Sequence, residues 1–117
     1  MKIEVRDRGF KANEGLGNYV GLRLMSVLDQ LVQRVEGVTV SLAPVNAAGG
    51  GIVKQCRMLA RLMPSGGVRV QHVDPVLYAA IDRAAETLAQ YVGLELQRRE
   101  LGVATDILRA AQEMENT

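Results

Sequence analysis

The sequence predicts an α+β domain with the element order β-α-β-β-β-α, in which two helices pack on one face of a four-stranded sheet. Two kinds of periodicity support this class. Short segments with apolar residues at every second position are typical of half-buried strands, and two longer segments with apolar residues three and four positions apart are typical of amphipathic helices. At 117 residues the chain suits one domain. Because strand-helix-strand crossovers are almost always right-handed, both helices are expected on the same face.

The first two elements are a short strand and a long helix. Residues 2–6 alternate between apolar and charged, which predicts the first strand. A helix is expected from an N-cap at Asn13 to about Val35, after which Gly37 ends it. The apolar positions of this helix recur with helical spacing and are Leu16, Val20, Leu24, Val27, Leu28, Leu31 and Val35.

Three further strands are predicted at residues 38–42, 52–63 and 68–72. Pro44 is expected to mark the end of the first of these because proline has no backbone N–H to pair. The glycine-rich segment 46–51 predicts a flexible loop. Residues 64–67 read as a compact turn, so the last two strands are expected to form a hairpin.

The last helix is predicted to begin at Asp74 as the N-cap, with Pro75 in the first helical position. It is expected to run to about Glu100 and to bury a stripe made of Leu77, Ile81, Ala84, Leu88, Val92 and Leu96. We therefore expect residues 1–100 to form the folded domain. Residues 101–117 are expected to form a helical or frayed tail, because a glycine interrupts the apolar pattern there.

Composition excludes several classes of protein. The chain has 14 Lys and Arg against 13 Asp and Glu, a net charge of +1, whereas dedicated DNA-binding domains are strongly basic, so no DNA partner is expected. Aromatic residues make up only 3% of the chain, which leaves few rings for stacking on bases. The first residues lack the apolar stretch of a signal peptide, and no apolar run reaches the ~20 residues of a membrane span. A cytoplasmic protein without membrane contact is expected.

The sequence contains no recognisable catalytic or metal-binding arrangement. Cys56 and His72 are the only cysteine and histidine, which is too few for a four-ligand zinc site. Cys56 has the same alternation parity as Met58 and Leu62, so it is interpreted as a small buried hydrophobe, and His72 as an ordinary strand residue. We therefore expect no catalytic residues, no metal and no cofactor, and a protein that is not an enzyme.

The sheet face away from the helices is predicted to be cationic. Strand alternation places five cations there, with Glu4 as the one acidic residue among them: Lys2, Arg6, Arg57, Arg61 and Arg69. These side chains could neutralise the phosphates of structured RNA, which is recognised mainly through backbone and shape. The alternative interpretation is an ordinary solvated face of an antiparallel sheet.

A specific stretch resembles a known family. Residues 68–82, which read VRVQHVDPVLYAAID, together with Leu88 and Gln90, resemble the ribosome hibernation factors, a family that includes hibernation promoting factor and ribosome-associated inhibitor. A looser likeness extends over residues 1 to about 100. The resemblance implies a stress-response protein that inhibits translation. It would bind small-subunit ribosomal RNA in the channel used by transfer and messenger RNA.

The resemblance also implies cationic contacts from the helices. It adds Arg23 of the first helix and Arg83 and Arg98 of the last helix to the five sheet cations as predicted RNA-binding residues. The last helix of the family usually carries a row of lysines and arginines, whereas this chain has Thr87, Gln90, Leu94 and Glu95 on the corresponding surface. Fewer phosphate contacts predict weaker binding.

A protein-interaction module is the alternative function. Tyr91, Leu94 and Leu101 lie off the buried stripe of the last helix and could form the seam of a homodimer. Under this hypothesis the same scaffold binds ribosomes weakly or not at all.

Overall fold

The computed structural model describes residues 1–10 and 14–115. It confirms the predicted class and element order. The strands are β1 (Lys2–Asp7), β2 (Val35–Asn46), β3 (Ile52–Leu62) and β4 (Gly67–Asp74), and the helices are α1 (Glu14–Leu28) and α2 (Leu77–Glu115). The sheet order is β1-β2-β3-β4, with β1 parallel to β2 and the other neighbouring pairs antiparallel.

One hydrophobic core lies between the sheet and the two helices. The strands bury the predicted parity, so that Cys56, Met58, Ala60 and Leu62 of β3 are almost inaccessible to solvent. The predicted stripe of α2 is confirmed from Ile81 to Leu96, and Leu77 is partly buried against the core. Ala80, Ala84 and Ala85 are fully buried. Their small side chains let α2 approach the strands closely.

The prediction that the first helix reaches Val35 is wrong. The α-helix ends at Leu28, a 3-10 helix covers Asp29–Arg34, and Val35 is the first residue of β2. Apolar residues three positions apart suit both kinds of helix, so their spacing does not reveal the change. Asp29 breaks the α-helix with a positive φ of 48°. The predicted N-cap, Asn13, lies outside the described residues.

Strand β2 is longer at both ends than predicted. Gly37 does not terminate a helix but lies within β2, beside an irregularity in the pairing with β3. Pro44 does not end the strand and lies opposite Lys54 of β3. The pairing with β1 stops at Leu42, so β2 is an edge strand at Pro44 and tolerates its missing N–H. The glycine-rich segment closes the β2–β3 hairpin, with Gly50 and Gly51 at positive φ.

Both predicted ends of the last helix shift. Asp74 belongs to β4, and the helix begins at Leu77 and not at Pro75. The Asp74 carboxylate still accepts a hydrogen bond from the Val76 N–H at 2.8 Å, so it satisfies a backbone donor just before the helix. At the other end α2 passes the expected limit near Glu100 and continues to Glu115. One glycine costs only about 1 kcal/mol in a helix interior and does not stop it. Within the described ranges, no helix has the length and hydropathy required to cross a membrane.

Candidate nucleic-acid interface

The sheet surface opposite the helices, here called the open face, carries the five sheet cations predicted from alternation. Strand register arranges the charged outward residues in three rows. Across β1 to β4 these rows are Arg6, Ser41, Arg57 and Gln71; then Glu4, Thr39, Leu59 and Arg69; then Lys2, Gly37, Arg61 and Gly67. Within the three rows, five cations stand against one carboxylate, although the whole chain has a net charge of only +1.

A shallow concavity of about 750 Å³ lies within the open face. Strand β2 contributes the short side chains of Thr39 and Ser41 to its lining, between Arg6 on β1 and Arg57 on β3. Short residues between long ones leave the space in which a ligand can approach the sheet. Because four arginines line it, the concavity offers a concentrated positive potential and planar guanidinium donors that suit phosphate oxygens.

Hydrogen bonds within the sheet orient two of these arginines. The Nε of Arg57 donates to Oε1 of Gln71 at 3.0 Å, and Nη1 of Arg61 donates to Oγ1 of Thr39 at 2.9 Å. A guanidinium has five N–H donors, so each bond fixes the group while engaging a small part of its donor capacity. Held in this way, the two groups lose less conformational entropy when they bind an anion.

The remaining open-face cations are less constrained. Arg6 makes a salt bridge of 3.0 Å with Glu4, and both side chains are more than half exposed. Such surface pairs contribute only ~0–1 kcal/mol, so a phosphate can replace the carboxylate at low cost. Arg69 forms no hydrogen bond or ion pair with any residue that the structure describes.

The three cations predicted on the helices lie on the other side of the molecule from the open face. Arg23 of α1 forms ion pairs with Asp82 at 3.3 Å and Glu86 at 2.6 Å, both on α2.

Arg98 donates two hydrogen bonds to Glu95, at 2.7 and 3.0 Å. The bond from Arg98 is the main cause that lowers the pKa of Glu95, which keeps this carboxylate ionised. Arg83 is exposed on α2. The helices thus offer partly neutralised cations, and the structure does not bring them together with the open-face set.

The sequence interpretation missed a polar cluster between the two helices. The Tyr19 hydroxyl donates to Oδ1 of Asp82 at 2.5 Å, and this bond is the main cause that raises the pKa of Tyr19. The Tyr19 and Tyr78 rings pack edge to face with centroids 4.7 Å apart. Tyr78 and Asp82 lie four positions apart on α2, which is the one local signal that they share a surface. The cluster joins the two helices, and the Asp82 carboxylate is bonded to both Tyr19 and Arg23.

Cys56 and His72, the two residues considered for catalysis, have the surroundings of residues that support the fold. Cys56 is buried, and burial raises its pKa to about 12, so the thiol stays protonated and unreactive at neutral pH. Nε2 of His72 lies 2.9 Å from Oγ1 of Thr87, which links β4 to α2. Among the residues the structure describes, no group of three or more His, Cys, Asp or Glu is placed to hold a metal ion.

Comparisons with known proteins agree with the fold. Residues 3–98 match the family described as Sigma 54 modulation protein / S30EA ribosomal protein. The crystal structure of the N-terminal domain of Protein Y from Thermus thermophilus is similar, with 30% identity and a TM-score of 0.64 over 79% of this chain and 96% of that one. A ribosomal subunit interface protein from Coxiella burnetii has the same fold, with 13% identity and a TM-score of 0.70 over 83% of this chain and 99% of that one. No curated protein matches. The family match covers most of the chain, which therefore belongs to the Sigma 54 modulation protein / S30EA ribosomal protein family.

Proposed function

We propose that this protein is a cytoplasmic, non-enzymatic ribosome hibernation factor that binds small-subunit ribosomal RNA through the open face and thereby inhibits translation. The observation that carries the proposal is the charge segregation on the sheet. Five cations and one acid share the three rows of the open face in an almost neutral chain. Bound in the channel used by transfer and messenger RNA, the protein excludes both.

Membership of the family supports the ribosomal part of this proposal. The family description names a ribosomal protein, and the similar Coxiella burnetii protein is described as a ribosomal subunit interface protein. The resemblance noted in residues 68–82 points in the same direction. In this chain that stretch includes Val70, Ala80 and Ile81, which are buried, so it supports the fold more than the contact with RNA.

The chemistry of the open face supports an RNA ligand recognised through its phosphates. Four of the five cations are arginines, which can bind phosphate oxygens with two parallel N–H bonds. The three rows contain no aromatic ring on which a base could stack. Recognition of backbone and shape is therefore favoured over recognition of base sequence.

The helix surface is the less favourable RNA contact in this chain. Arg23 and Arg98 are already bonded to carboxylates, and RNA binding there would place phosphates beside Asp82, Glu86 and Glu95. Like charges at such short range oppose binding. We therefore assign the main contact to the open face and a minor one to Arg23, Arg83 and Arg98.

Co-sedimentation with purified small subunits and whole ribosomes across a salt series tests the proposal, with a parallel measurement of translation in a cell-free system. The expected result is binding at low salt that weakens steeply as salt rises, together with inhibition at concentrations that saturate the small subunit. The variant carrying Arg57→Glu and Arg69→Glu should lose both activities. Folded protein that fails to sediment with either particle at low salt would exclude the proposed function.

A further inference from the structure

The concavity of the open face presents more cationic donors than the protein itself uses. A guanidinium has five N–H donors. Arg6, Arg57 and Arg61 each donate one hydrogen bond to another side chain of the sheet. Arg69 donates none to any residue of the described ranges. Most of the donors that line the concavity are therefore available to a ligand.

The charges around the concavity are all of one sign. Four arginines contribute to its lining, and no carboxylate is found among the lining residues that the structure describes. Positive charges that surround one space repel each other, so the arrangement is electrostatically unfavourable without a counter-charge. An anion bound among them removes this repulsion. Because it binds the folded state, such a ligand should stabilise the protein.

The floor of the concavity is open down to strand β2. Ser41 has a short, half-buried side chain there. A Cβ added to Gly67 would lie 3.4 Å from Cδ1 of Leu59, so the Leu59 side chain leans toward β4 and away from β2. Arg6 and Arg57 flank Ser41 in one row, with Cα atoms about 10 Å apart across the sheet. A compact anion that rests on Ser41 therefore lies between two arginines.

This density of donors suits a chain of linked phosphates better than a single phosphodiester. Each phosphate of a nucleic acid backbone carries one negative charge. A terminal phosphate carries up to two charges and three acceptor oxygens, and linked phosphates concentrate several charges in one short group. Arginine binds such oxygens with two parallel N–H bonds. The three rows contain no aromatic ring to hold a base, so the phosphate chain is the part of a ligand that the open face recognises.

We propose that the concavity binds a free polyphosphate group, either inorganic polyphosphate or the phosphate chain of a nucleoside triphosphate, and that this ligand competes with RNA for the open face. Arg6, Arg57, Arg61 and Arg69 supply the donors, and Ser41 forms the floor. The competition rests on the function proposed above, because it requires RNA to occupy the same arginines. The binding of polyphosphate does not require it and is measurable on the protein alone.

Isothermal titration calorimetry of the full chain with sodium tripolyphosphate tests the site, with orthophosphate at matched ionic strength as the comparison. Tripolyphosphate should bind at least about 10-fold more tightly than orthophosphate and should raise the melting temperature. Titration with ATP distinguishes the two sources. An affinity equal to that of tripolyphosphate or higher assigns the site to a nucleotide, and a lower one assigns it to inorganic polyphosphate. Equally weak binding of tripolyphosphate and orthophosphate would overturn the proposal.

Two matched pairs of variants locate the site. Ser41→Leu fills the floor without a change of charge and should weaken tripolyphosphate binding by about 10-fold or more, whereas Ser26→Leu makes the same change on the exposed surface of α1 and should not. Arg57→Gln should also weaken it by about 10-fold or more, and Arg83→Gln on α2 should not. Wild-type affinity in both open-face variants would contradict the assignment to the concavity.

Co-sedimentation with small subunits tests the competition. Tripolyphosphate should release the bound protein where orthophosphate of equal ionic strength does not, with free Mg²⁺ held constant because polyphosphate binds this ion. Protein that binds subunits but not tripolyphosphate would refute the inference and leave the proposed function intact. Protein that binds tripolyphosphate but no subunits would support the ligand site and refute the proposed function. Simultaneous binding of both without displacement would refute the competition.

Discussion

Arg61 lies across Gly37 on the open face, and its position depends on that residue having no side chain. A Cβ added to Gly37 would overlap the Arg61 guanidinium and would lie 2.8 Å from the Lys2 carbonyl oxygen. The absence of a side chain lets the guanidinium reach Thr39, to which it donates a hydrogen bond. Gly37 is thus part of the candidate interface although it contributes no polar group from a side chain.

Gly37→Ala should destabilise the protein by ~1–3 kcal/mol, because the backbone carbonyl of Lys2 cannot move away without disturbing the β1–β2 pairing. Urea denaturation measures the change. Gly49→Ala is the matched control, since a Cβ there meets no atom within 4 Å, and it should change stability by less than about 0.5 kcal/mol. Equal effects of the two substitutions would show that the close approach of Arg61 and Lys2 to Gly37 is not a constraint.

Tyr19→Phe removes the hydroxyl that donates to Asp82 and should cost about 1 kcal/mol of unfolding free energy at pH 7. The cost should depend on pH in a defined direction. The pKa of Tyr19 is raised in the folded state above its ordinary value of 10.0, mainly by the hydrogen bond to Asp82, so the native protein holds this proton more tightly than the unfolded chain. The stabilisation is complete below pH 10 and is lost as pH rises further.

Denaturation of the wild type and Tyr19→Phe between pH 8 and 11 therefore checks both the size of this stabilisation and the direction in which it changes with pH. The stability difference between the two proteins should shrink above about pH 10. Tyr91→Phe is a suitable control, because Tyr91 is exposed and has no hydrogen bond among the described residues. A difference that grows with pH would contradict the assigned bond.

Cys56 should resist thiol reagents in the native protein. Its side chain is buried, and its pKa of about 12 leaves almost no thiolate at pH 8. Labelling with a chromogenic disulfide reagent should be slow in buffer and fast in urea, with the same final extent of one thiol per chain. Fast, complete labelling of the folded protein would show that the core around Met58 opens readily.

Much of the fold could be predicted from local pattern. Alternation assigned Cys56 and Met58 to the core and Arg57 and Arg61 to the open face, because a strand turns successive side chains to opposite faces whatever lies around it. The end of the first helix could not be predicted in this way. Leu28, Leu31 and Val35 keep helical spacing in the sequence, although the chain changes to a 3-10 helix at Asp29 and to β2 at Val35.

The tertiary parts of the candidate site were not accessible from the sequence. The contact of Arg61 with Gly37 needs the β2–β3 register, and the bond between Tyr19 and Asp82 joins residues 63 positions apart. Neither leaves a periodic signal. The ion pairs of Arg23 are of the same kind, so the sequence alone presented Arg23 as a free cation where the structure shows a bonded one.

The central claim is that the open face, and not the helix surface, makes the main contact with ribosomal RNA. Two double variants with equal net charge separate these surfaces: Arg57→Glu with Arg69→Glu on the open face, and Arg83→Glu with Arg98→Glu on α2. Binding to small subunits across a salt series should be lost or reduced by orders of magnitude in the first, with a log-log slope smaller by about 2 or more. The second should bind within a few-fold of the wild type. Wild-type affinity and slope in the open-face variant, with loss of binding in the helix variant, would contradict the account.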